Sequence, residues 1–355
     1  MANAKLYLRP IGLLYGAAAD AAVAEGVALT LAGGPIAFVA AELIEGSPGS
    51  EKRQIFTAHA LADTRDAALA ALLERVTAKR PPFAGIALDR PVLMGIVNVT
   101  PDSFSDGGLY DSKEEAIAHA AELVQAGAAI VDIGGESTRP GSDPTEAGQE
   151  GTRVLPVIAG LKGISAVISI DTRKASVARA AAKAGAKIFN DVSALTYDKQ
   201  SLEVAKESGL AVVLMHAQGE PKTMQDDPRY ADVALEVFDY LEERIEAAVA
   251  AGIERSRVAA DPGLGFGKTL AHNLALLAHT SLLHGLGVPL LIGASRKRFI
   301  KGIAGGTEAK AREPGSQAAA IVAAAQGAQI LRVHDVAASR QALGVWRASA
   351  FGTEN

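Results

Sequence analysis

Charged and amide side chains stand directly after short apolar segments in this sequence. Asp171 and Asp261 each end such a segment. Arg332 and His334 are two residues apart, so in a β-strand both side chains point to the same side. Because burying a charged group is costly unless it is paired or used, this pattern indicates a functional site.

These residue types suit a planar, nitrogen-rich ring that carries a phosphate group. The carboxylates of Asp171 and Asp261, with the amide of Asn190, can bond to the polar groups of such a ring. Lys297 adds positive charge, and we find no nucleophile with an adjacent base, so the pattern favours group transfer with electrostatic stabilisation over covalent catalysis. A phosphate or diphosphate, with Mg²⁺ sharing its charge, suits the residues Asn98, Arg139, Arg332 and His334.

From Pro91 onward, short β-branched segments alternate with longer amphipathic or Ala-rich ones. Such alternation, with continuously apolar strands, is typical of a parallel sheet. Eight repeats in about 260 residues favour an α/β architecture of the closed (β/α)₈ (TIM) barrel type over an open sheet. Strands are predicted at 92–99, 129–135, 166–172, 187–193, 211–217, 258–263, 289–295 and 330–335. Helices are predicted at 114–126, 146–162, 174–184, 198–208, 231–252, 271–284, 314–327 and 336–349.

The helix predicted at 114–126 has recognisable local signals. Ser112 and Glu115 have the spacing of a capping box, which predicts that Ser112 caps the helix. One apolar face is predicted from Ile117, Ala121 and Val124.

Residues 1–90 do not share this rhythm. Strands are predicted there at 27–31 and 36–40 and a helix at 63–79, before the chain breaks near 80–91. We therefore predict a small α/β extension at 1–90, to which the sequence assigns no role, and a catalytic barrel at 91–355.

In an α/β barrel the carboxyl ends of all strands form one rim, and that rim carries the active site. Polar residues end nearly every predicted strand, so we expect them to meet there. Several have a structural alternative: Asp132 and Asp191 equally suit helix caps or ties between strands, and Met215 equally suits core packing. The alternative for Arg332 is a core arginine satisfied by a carboxylate.

Composition excludes several classes of protein. The 355 residues include no cysteine, which excludes disulfides and cysteine-based metal sites. A net charge of −5 does not favour nucleic acid as a partner. No signal-peptide pattern opens the chain and no apolar run is as long as the ~18 residues of a membrane span, so we predict a cytoplasmic protein without a membrane partner.

Eight segments of the barrel resemble the bacterial dihydropteroate synthase family. The resemblance covers roughly residues 91–350 and implies the same (β/α)₈ fold. The segments are MGIVNVTPDSFSDGG (94–108), DIGGESTRPG (132–141), SIDTRKA (169–175), FND (189–191), LMHAQGEPKTMQ (214–225), DPGLGFGK (261–268), GASRK (293–297) and RVHD (332–335).

The resemblance implies a reaction and a homodimer. The reaction joins 7,8-dihydropterin-6-ylmethyl diphosphate to 4-aminobenzoate by an SN1-like displacement, giving 7,8-dihydropteroate and diphosphate. The residues implied for the pterin are Asp171, Asn190, Met215, Asp261 and Lys297. Those implied for the diphosphate are Asn98, Arg332 and His334, with Asn98 also serving Mg²⁺. Those implied for the aminobenzoate are Phe104, Thr138, Arg139, Pro140, Phe266 and Ser295. Either Asp102 or Asp106 would organise the loops or the arylamine. We assign catalytic roles to Asp106, Arg139, Lys297, Arg332 and His334.

Two rival functions remain open at this point. A corrinoid-type pterin methyltransferase shares the barrel and the pterin-binding acids but would lack the TPDSFSDGG, STRPG, SRK and RVHD segments, all present here. A non-catalytic pterin-binding paralogue would be favoured by loss of Arg139 or of the first loop, and both are retained. Diphosphate release with and without 4-aminobenzoate would discriminate among these functions.

Overall fold

The computed structural model describes residues 5–99, 109–137, 142–220 and 222–353. The chain begins with an antiparallel sheet in which β3 pairs with β1, β2 and β4. Its strands are β1 (Leu6–Tyr15), β2 (Leu29–Thr30), β3 (Ile36–Glu45) and β4 (Lys52–Thr57). Its helices are α1 (Gly16–Ala24), α2 (Ala58–Ala62) and α3 (Ala67–Thr77).

The predicted elements of this region were incomplete. The sequence did not predict β1, β4, α1 or α2, and β3 is longer than the predicted strand at 36–40. Neither missed strand alternates between apolar and polar residues. Apolar residues fall on both faces of β1, because one face packs in the core with α3 and the other carries Tyr7 into the barrel's core. In contrast, β4 is largely exposed.

Eight short parallel strands form the second sheet, in the order β10-β9-β8-β7-β6-β5-β12-β11. A bridge between Ala260 and Leu290 joins the two edges of this sheet. The predicted (β/α)₈ barrel is therefore confirmed. The strands are β5 (Val92–Asn98), β6 (Ile130–Gly134), β7 (Val167–Asp171), β8 (Ile188–Asp191), β9 (Ala211–Met215), β10 (Val258–Asp261), β11 (Leu291–Ile292) and β12 (Ile330–Val333).

Helices surround this barrel and cover its outer face. They are α4 (Leu109–Ala126), α5 (Ala147–Gly160), α6 (Ala175–Ala184), α7 (Ser201–Ser208), α8 (Val233–Ala250), α9 (Leu270–Ala278), α10 (Arg298–Ala304), α11 (Glu313–Ala325) and α12 (Val336–Phe351). In the described part of the chain, none of the helices has the length and apolar character needed to cross a membrane.

Two predictions about these helices were wrong, and one helix was missed. Ser112 cannot cap α4, because that helix already begins at Leu109. In contrast, Ile117 and Val124 of the predicted apolar face are partly buried and do pack against the core cluster, beside the buried Ala116, Ala120 and Leu123. The helix predicted at 271–284 ends at Ala278 and continues as a 3₁₀ segment at 280–286, and α10 was not predicted.

The lower interior of the barrel is filled with apolar side chains and closed at its N-terminal end. Met94, Ile130 and Ile330, near the starts of their strands, belong to one buried cluster with Phe83. Phe83 is fully buried and pairs with Ile86 across a tight turn. The segment 83–88 therefore plugs the end of the barrel opposite the rim where polar residues were predicted.

The N-terminal sheet is attached to the flank of the barrel at α8. Tyr7 packs edge-on against Phe238 with ring centroids 5.3 Å apart, and its hydroxyl donates to the Asp239 carboxylate at 2.9 Å. The ion pairs across this contact place basic residues on the sheet side and acidic residues on α8 or its N-cap: Lys5–Asp239 at 2.6 Å, Lys5–Glu242 at 2.7 Å, Arg75–Glu242 at 3.0 Å and Arg53–Asp232 at 2.6 Å. The division into a 1–90 extension and a 91–355 domain stays a prediction.

Candidate active site

Polar side chains occupy the upper interior of the barrel, above the apolar layer. Successive strand residues face alternately inward and outward, so the positions two or four residues after the inward-facing apolar ones also face inward. These positions hold Asn98 on β5, Asp132 on β6, Asp171 on β7, Asn190 on β8, Asp261 on β10 and Arg332 on β12. Backbone pairing aligns Asn98 with Gly134, Gly134 with Asp171, and Asp171 with Asn190 on successive strands.

Arg332 connects two carboxylates at the centre of this group. Its Nε donates to Asp132 Oδ2 at 2.6 Å, and its Nη2 donates to Asp171 Oδ2 at 2.7 Å. The amide of Asn190 donates to the same Asp132 oxygen at 3.0 Å. These contacts match the alternative interpretation of Arg332, an arginine satisfied by carboxylates, and its predicted role in anion binding stays a prediction.

Burial and charge act in opposite directions on this ion-paired group. Burial alone would lower the pKa of Arg332, but Asp132 and Asp171 outweigh burial and hold that pKa above its ordinary value. Burial raises the pKa of the Asp171 carboxyl, and the Arg332 guanidinium opposes this rise. A ligand that displaces Arg332 from Asp171, or either of them from the pair, therefore alters the electrostatic balance among Arg332, Asp132 and Asp171.

Two glycines keep the centre of the site open. A Cβ atom on Gly134 would lie 3.6 Å from Asp171 Cβ and 3.9 Å from Asn98 Oδ1. A Cβ atom on Gly293 would lie 3.8 Å from Arg332 Cβ and 4.0 Å from Asp261 Oδ2. Larger side chains at these positions would project among the polar groups of the site.

Lys297 approaches the site from the loop after β11. Its ammonium donates to the Leu264 carbonyl and lies 4.4 Å from the centroid of the Phe266 ring. Burial lowers the pKa of Lys297 to about 8, against the opposite effect of the Asp261 carboxylate. Burial raises the pKa of Asp261, whose Oδ1 accepts from the Gly263 N–H at 2.7 Å. Lys297 and Asp261 therefore border the site, and the protonation of each depends on its burial and on the charge of the other.

The glycine-rich segment after β10 packs closely on the loop after β9. Gly263 has a φ of +67°, and a Cβ there would lie 1.8 Å from the His216 carbonyl oxygen. Gly267 has a φ of +61°, and a Cβ there would lie 2.3 Å from the Gln218 carbonyl oxygen. Only glycine combines this backbone conformation with so close an approach.

Lys268 was not predicted as part of the site, although it follows that glycine-rich segment directly. It is only 3% exposed, and its Nζ lies 2.9 Å from His216 Nδ1 and 3.0 Å from the Phe266 carbonyl oxygen. Burial, followed by the nearby Lys268 charge, lowers the pKa of His216 to about 2, so His216 is neutral. Lys268 thus joins the loops after β9 and β10 beneath Phe266.

A second group that was not predicted supports the loop after β6. Glu136 accepts from Arg173 at 3.1 Å, from Lys174 at 2.9 Å, and from the Thr145 N–H at 2.9 Å. Lys174 also donates to the buried Glu150 at 2.5 Å. The sequence contained a clue, since the acidic GGES segment and the basic DTRK segment follow neighbouring strands. These bonds hold together the two ends of the loop between Glu136 and Thr145.

The remaining predicted residues fall into two groups. His334 Nδ1 lies 3.0 Å from the Ser295 hydroxyl, and Met215 is buried beside Gly263 with its Cγ 3.2 Å from the position of a Cβ there. The structure therefore brings Asn98, Asp171, Asn190, Asp261, Lys297 and Arg332 to one mouth, with Met215 at the end of β9 and Phe266 on the loop after β10. The predicted residues Asp102, Phe104, Asp106, Thr138, Arg139 and Pro140 lie outside the described residues.

A magnesium ion fits this mouth only as a partner of phosphate oxygens. Mg²⁺ typically keeps several waters and takes one or two protein oxygens alongside substrate phosphates. Asn98 offers one amide oxygen close to Asp171, as the surroundings of Gly134 indicate. Across the described ranges no three His, Cys, Asp or Glu side chains form a metal-binding cluster.

Comparison with known proteins identifies the family. A family model described as "Pterin binding enzyme" matches residues 94–334. The dihydropteroate synthase of Neisseria meningitidis serogroup C is 49% identical over 267 residues, covering 74% of this chain and 94% of that protein. The chain belongs to the dihydropteroate synthase family. The predicted family and its assignment to the transferase enzymes are thereby confirmed.

Solved members of the family share the barrel. Xanthomonas albilineans dihydropteroate synthase with 4-aminobenzoic acid has a TM-score of 0.71 and 49% identity, covering 75% of this chain and 96% of that one. The same organism's enzyme in complex with 7,8-dihydropteroate has a TM-score of 0.68 and 46% identity, covering 74% of this chain and 95% of that one. The match covers nearly the full length of both relatives but only about three quarters of this chain, so about a quarter of this chain has no counterpart in them.

Proposed function

We propose that this chain condenses 7,8-dihydropterin-6-ylmethyl diphosphate with 4-aminobenzoate to give 7,8-dihydropteroate and diphosphate. The carbon–oxygen bond between the pterin methylene and the diphosphate breaks, and both electrons leave with the diphosphate. The amine lone pair then forms the new carbon–nitrogen bond, and the nitrogen loses a proton. The observation that carries this proposal is the meeting of Asp171, Asp261, Lys297 and Arg332 at one barrel mouth.

The ring and the diphosphate would occupy adjoining parts of this mouth. Carboxylates at Asp171 and Asp261 and the amide of Asn190 would bond to the pterin, while Met215 packs against it. Lys297 would bond to the pterin from the opposite loop. Positive charge from Arg332, with His334 and Asn98, would stabilise the diphosphate as it leaves, because charge-assisted hydrogen bonds strengthen as negative charge develops.

The aminobenzoate would bind nearer the outside of the mouth. Phe266 and Ser295 lie on the loops after β10 and β11, which border this outer region. Thr138, Arg139 and Pro140, with Phe104 from the first loop, would complete the subsite. Either Asp102 or Asp106 would organise the loops or the amine.

We also propose that Mg²⁺ accompanies the diphosphate, with Asn98 as the protein ligand. When bound, the ion would neutralise charge on the leaving diphosphate. The diphosphate and water would supply its remaining ligands. Titrating Mg²⁺ against the diphosphate complexes of the native chain and of Asn98→Ala tests this role, and equal apparent affinities would contradict it.

A homodimer and a cytoplasmic location complete the proposal. Apolar side chains are exposed on α9, α10 and α11, which pack together on one side of the barrel. They are Leu270 at 41%, Leu274 at 40%, Ile303 at 59% and Val322 at 43% exposure. Sedimentation should give a dimer that Ile303→Asp dissociates, with Val345→Asp on α12 as the exposed control. Recovery of the native protein outside the cytoplasmic fraction would contradict the location.

The deciding experiment measures both products in one assay. In the presence of 4-aminobenzoate, the full chain should release diphosphate and form dihydropteroate in equal amounts. Lys297→Met should raise the KM for the pterin diphosphate by roughly 10-fold or more, the loss expected for a charged hydrogen bond. Lys301→Met, an exposed lysine on α10, is the matched control and should leave KM unchanged. Pterin binding without product formation would instead favour the non-catalytic paralogue.

A further inference from the structure

Asp132 is a fully buried carboxylate at the centre of the site. Its Oδ2 accepts from Arg332 Nε at 2.6 Å and from Asn190 Nδ2 at 3.0 Å. Its Oδ1 is also buried and has no hydrogen-bond partner within the part of the chain that the structure describes. A buried carboxylate with one unsatisfied oxygen is costly, so the position of Asp132 calls for an explanation.

Asp191 shows what a purely structural carboxylate looks like in this barrel. It is as buried as Asp132 and follows Asn190 on β8. Its Oδ1 accepts from the Ser193 N–H at 2.7 Å and the Ser193 hydroxyl at 2.6 Å, and its Oδ2 accepts from the Leu195 N–H at 3.0 Å. Both oxygens of Asp191 are therefore used to shape the turn after β8, and neither contacts Arg332.

The two carboxylates that hold Arg332 differ in their exposure. The side chain of Asp171 is 13% exposed, whereas that of Asp132 is not exposed at all. A ring entering the mouth can therefore reach Asp171 but not Asp132. Ring N–H groups that bond to Asp171 would share its carboxylate with Arg332 Nη2 and weaken that bond, whereas the bond from Arg332 Nε to the fully buried Asp132 would remain.

We propose that Asp132 is a positioning residue that holds Arg332 through its Nε. When the ring binds to Asp171, Nη2 of Arg332 is released from that carboxylate and can bind the anion. This inference rests on the proposed function, because it assumes a ring at Asp171 and an anion near Arg332. Ring binding then frees a donor for the anion, and anion binding frees an acceptor for the ring. Such coupling must be reciprocal, since each ligand changes the affinity of the other by the same factor.

Calorimetry on the full chain can measure this coupling directly. The probes are 6-hydroxymethylpterin, which has the ring but no diphosphate, and inorganic diphosphate with Mg²⁺. Saturating ring should tighten diphosphate binding by about 5-fold or more, within the usual range of coupling between sites. Saturating diphosphate should tighten ring binding by the same factor.

Two variants and a control test the assignment to Asp132. Asp132→Asn weakens the anchor with little change of shape, so its coupling factor should fall towards 1. Asp171→Asn weakens the second ion pair, so diphosphate should bind more tightly without the ring and coupling should again be reduced. Asp191→Asn should lower the melting temperature and keep the native coupling factor.

The outcomes separate this inference from the proposed function. Native chain that binds both probes without coupling, or Asp132→Asn that keeps the native factor, overturns the role of Asp132 alone. If Asp132→Asn does not fold, the Asp171→Asn result decides, and an unchanged factor there also overturns the inference. Native chain that binds neither probe overturns the proposed function itself.

Discussion

Lys297 is a residue of the candidate site whose charge changes with pH just above neutrality. Part of its side chain reaches the mouth, yet burial lowers its pKa to about 8. Below that pH the group is an ammonium that can bond to the ring and attract the diphosphate. Above it, the neutral amine loses most of that attraction.

The affinity for the pterin diphosphate should therefore fall as pH rises through about 8. Lys297→Arg keeps its charge at all these pH values, so its affinity, though different in size, should show no such fall. Binding measured across this pH range for both proteins is the test. A fall of equal size in Lys297→Arg would assign the titration to another group.

The same shift has a consequence for folding stability. The folded pKa of about 8 is below the ordinary value of 10.5, so between these pH values the unfolded chain binds more protons than the folded one. The free energy of unfolding of the native chain should then rise with pH in that interval, relative to Lys297→Arg. Urea denaturation at both ends of the interval measures this difference.

The sequence predicted that polar residues at the strand ends meet at one rim, but not which of them bond to each other. The sequence did not separate Asp132 from Asp191, because helix caps or ties between strands suited both equally. Only the barrel shows that one faces inward to Arg332 and the other outward to a turn. The partners Asp132 and Arg332 are 200 positions apart, a separation over which local pattern carries no information.

At the scale of elements, the glycine-rich segment after β10 joins two loops of the mouth. Gly263 and Gly209 both have positive φ, at +67° and +70°. A Cβ on Gly263 would lie 1.8 Å from a backbone oxygen, whereas a Cβ on Gly209 has no neighbour within 4 Å. A substitution at Gly209 therefore tests backbone strain alone, whereas one at Gly263 tests backbone strain together with a steric clash.

Alanine at Gly209 should cost about 1–2 kcal/mol of stability, the strain of a left-handed residue, with activity unchanged. Alanine at Gly263 should cost more, because the His216 carbonyl must move with its strand. It should also weaken ring binding, since Met215 and Asp261 flank that contact. Urea denaturation and KM for the pterin diphosphate are the measurements, and equal losses at both positions would refute the argument.

Element prediction succeeded where one physical pattern dominated. The barrel strands are apolar on both faces and bounded by turns, so all eight were predicted close to their positions. The strands β1 and β4 and the helix α10 were not. Contacts far along the chain decide β1, while β4 is exposed and follows no burial pattern.

At the scale of the whole molecule, the N-terminal sheet and the barrel share apolar packing. Tyr7 and Ile44 belong to the same buried cluster as the outer face of the barrel. Tyr15 packs edge-on to Trp346 at 6.2 Å, and its hydroxyl donates to the Ala325 carbonyl at 2.8 Å. Trp346 is the single tryptophan of the chain, so its fluorescence reports on this contact.

The two parts should therefore unfold together in urea. Trp346 fluorescence and far-UV circular dichroism should give one midpoint in the native chain. Tyr7→Ala should lower that midpoint for both probes, at a cost of about 3–5 kcal/mol for removing a buried ring. Tyr7→Phe, which keeps the ring and loses the bond to the Asp239 carboxylate, should cost less, about 1.5–3 kcal/mol. Separate midpoints for the two probes in the native chain would show independent units.

The plug at residues 83–88 closes the barrel at its N-terminal end. Phe83 is buried in one cluster with Met94 and Ile330, so the described residues close this end and leave the mouth as the route to the interior. Both substrates must then enter, and both products leave, through the mouth at the opposite end. The ligand that binds deepest must enter first and leave last. A product that stays bound therefore blocks the next pterin diphosphate, and binding and release are sequential.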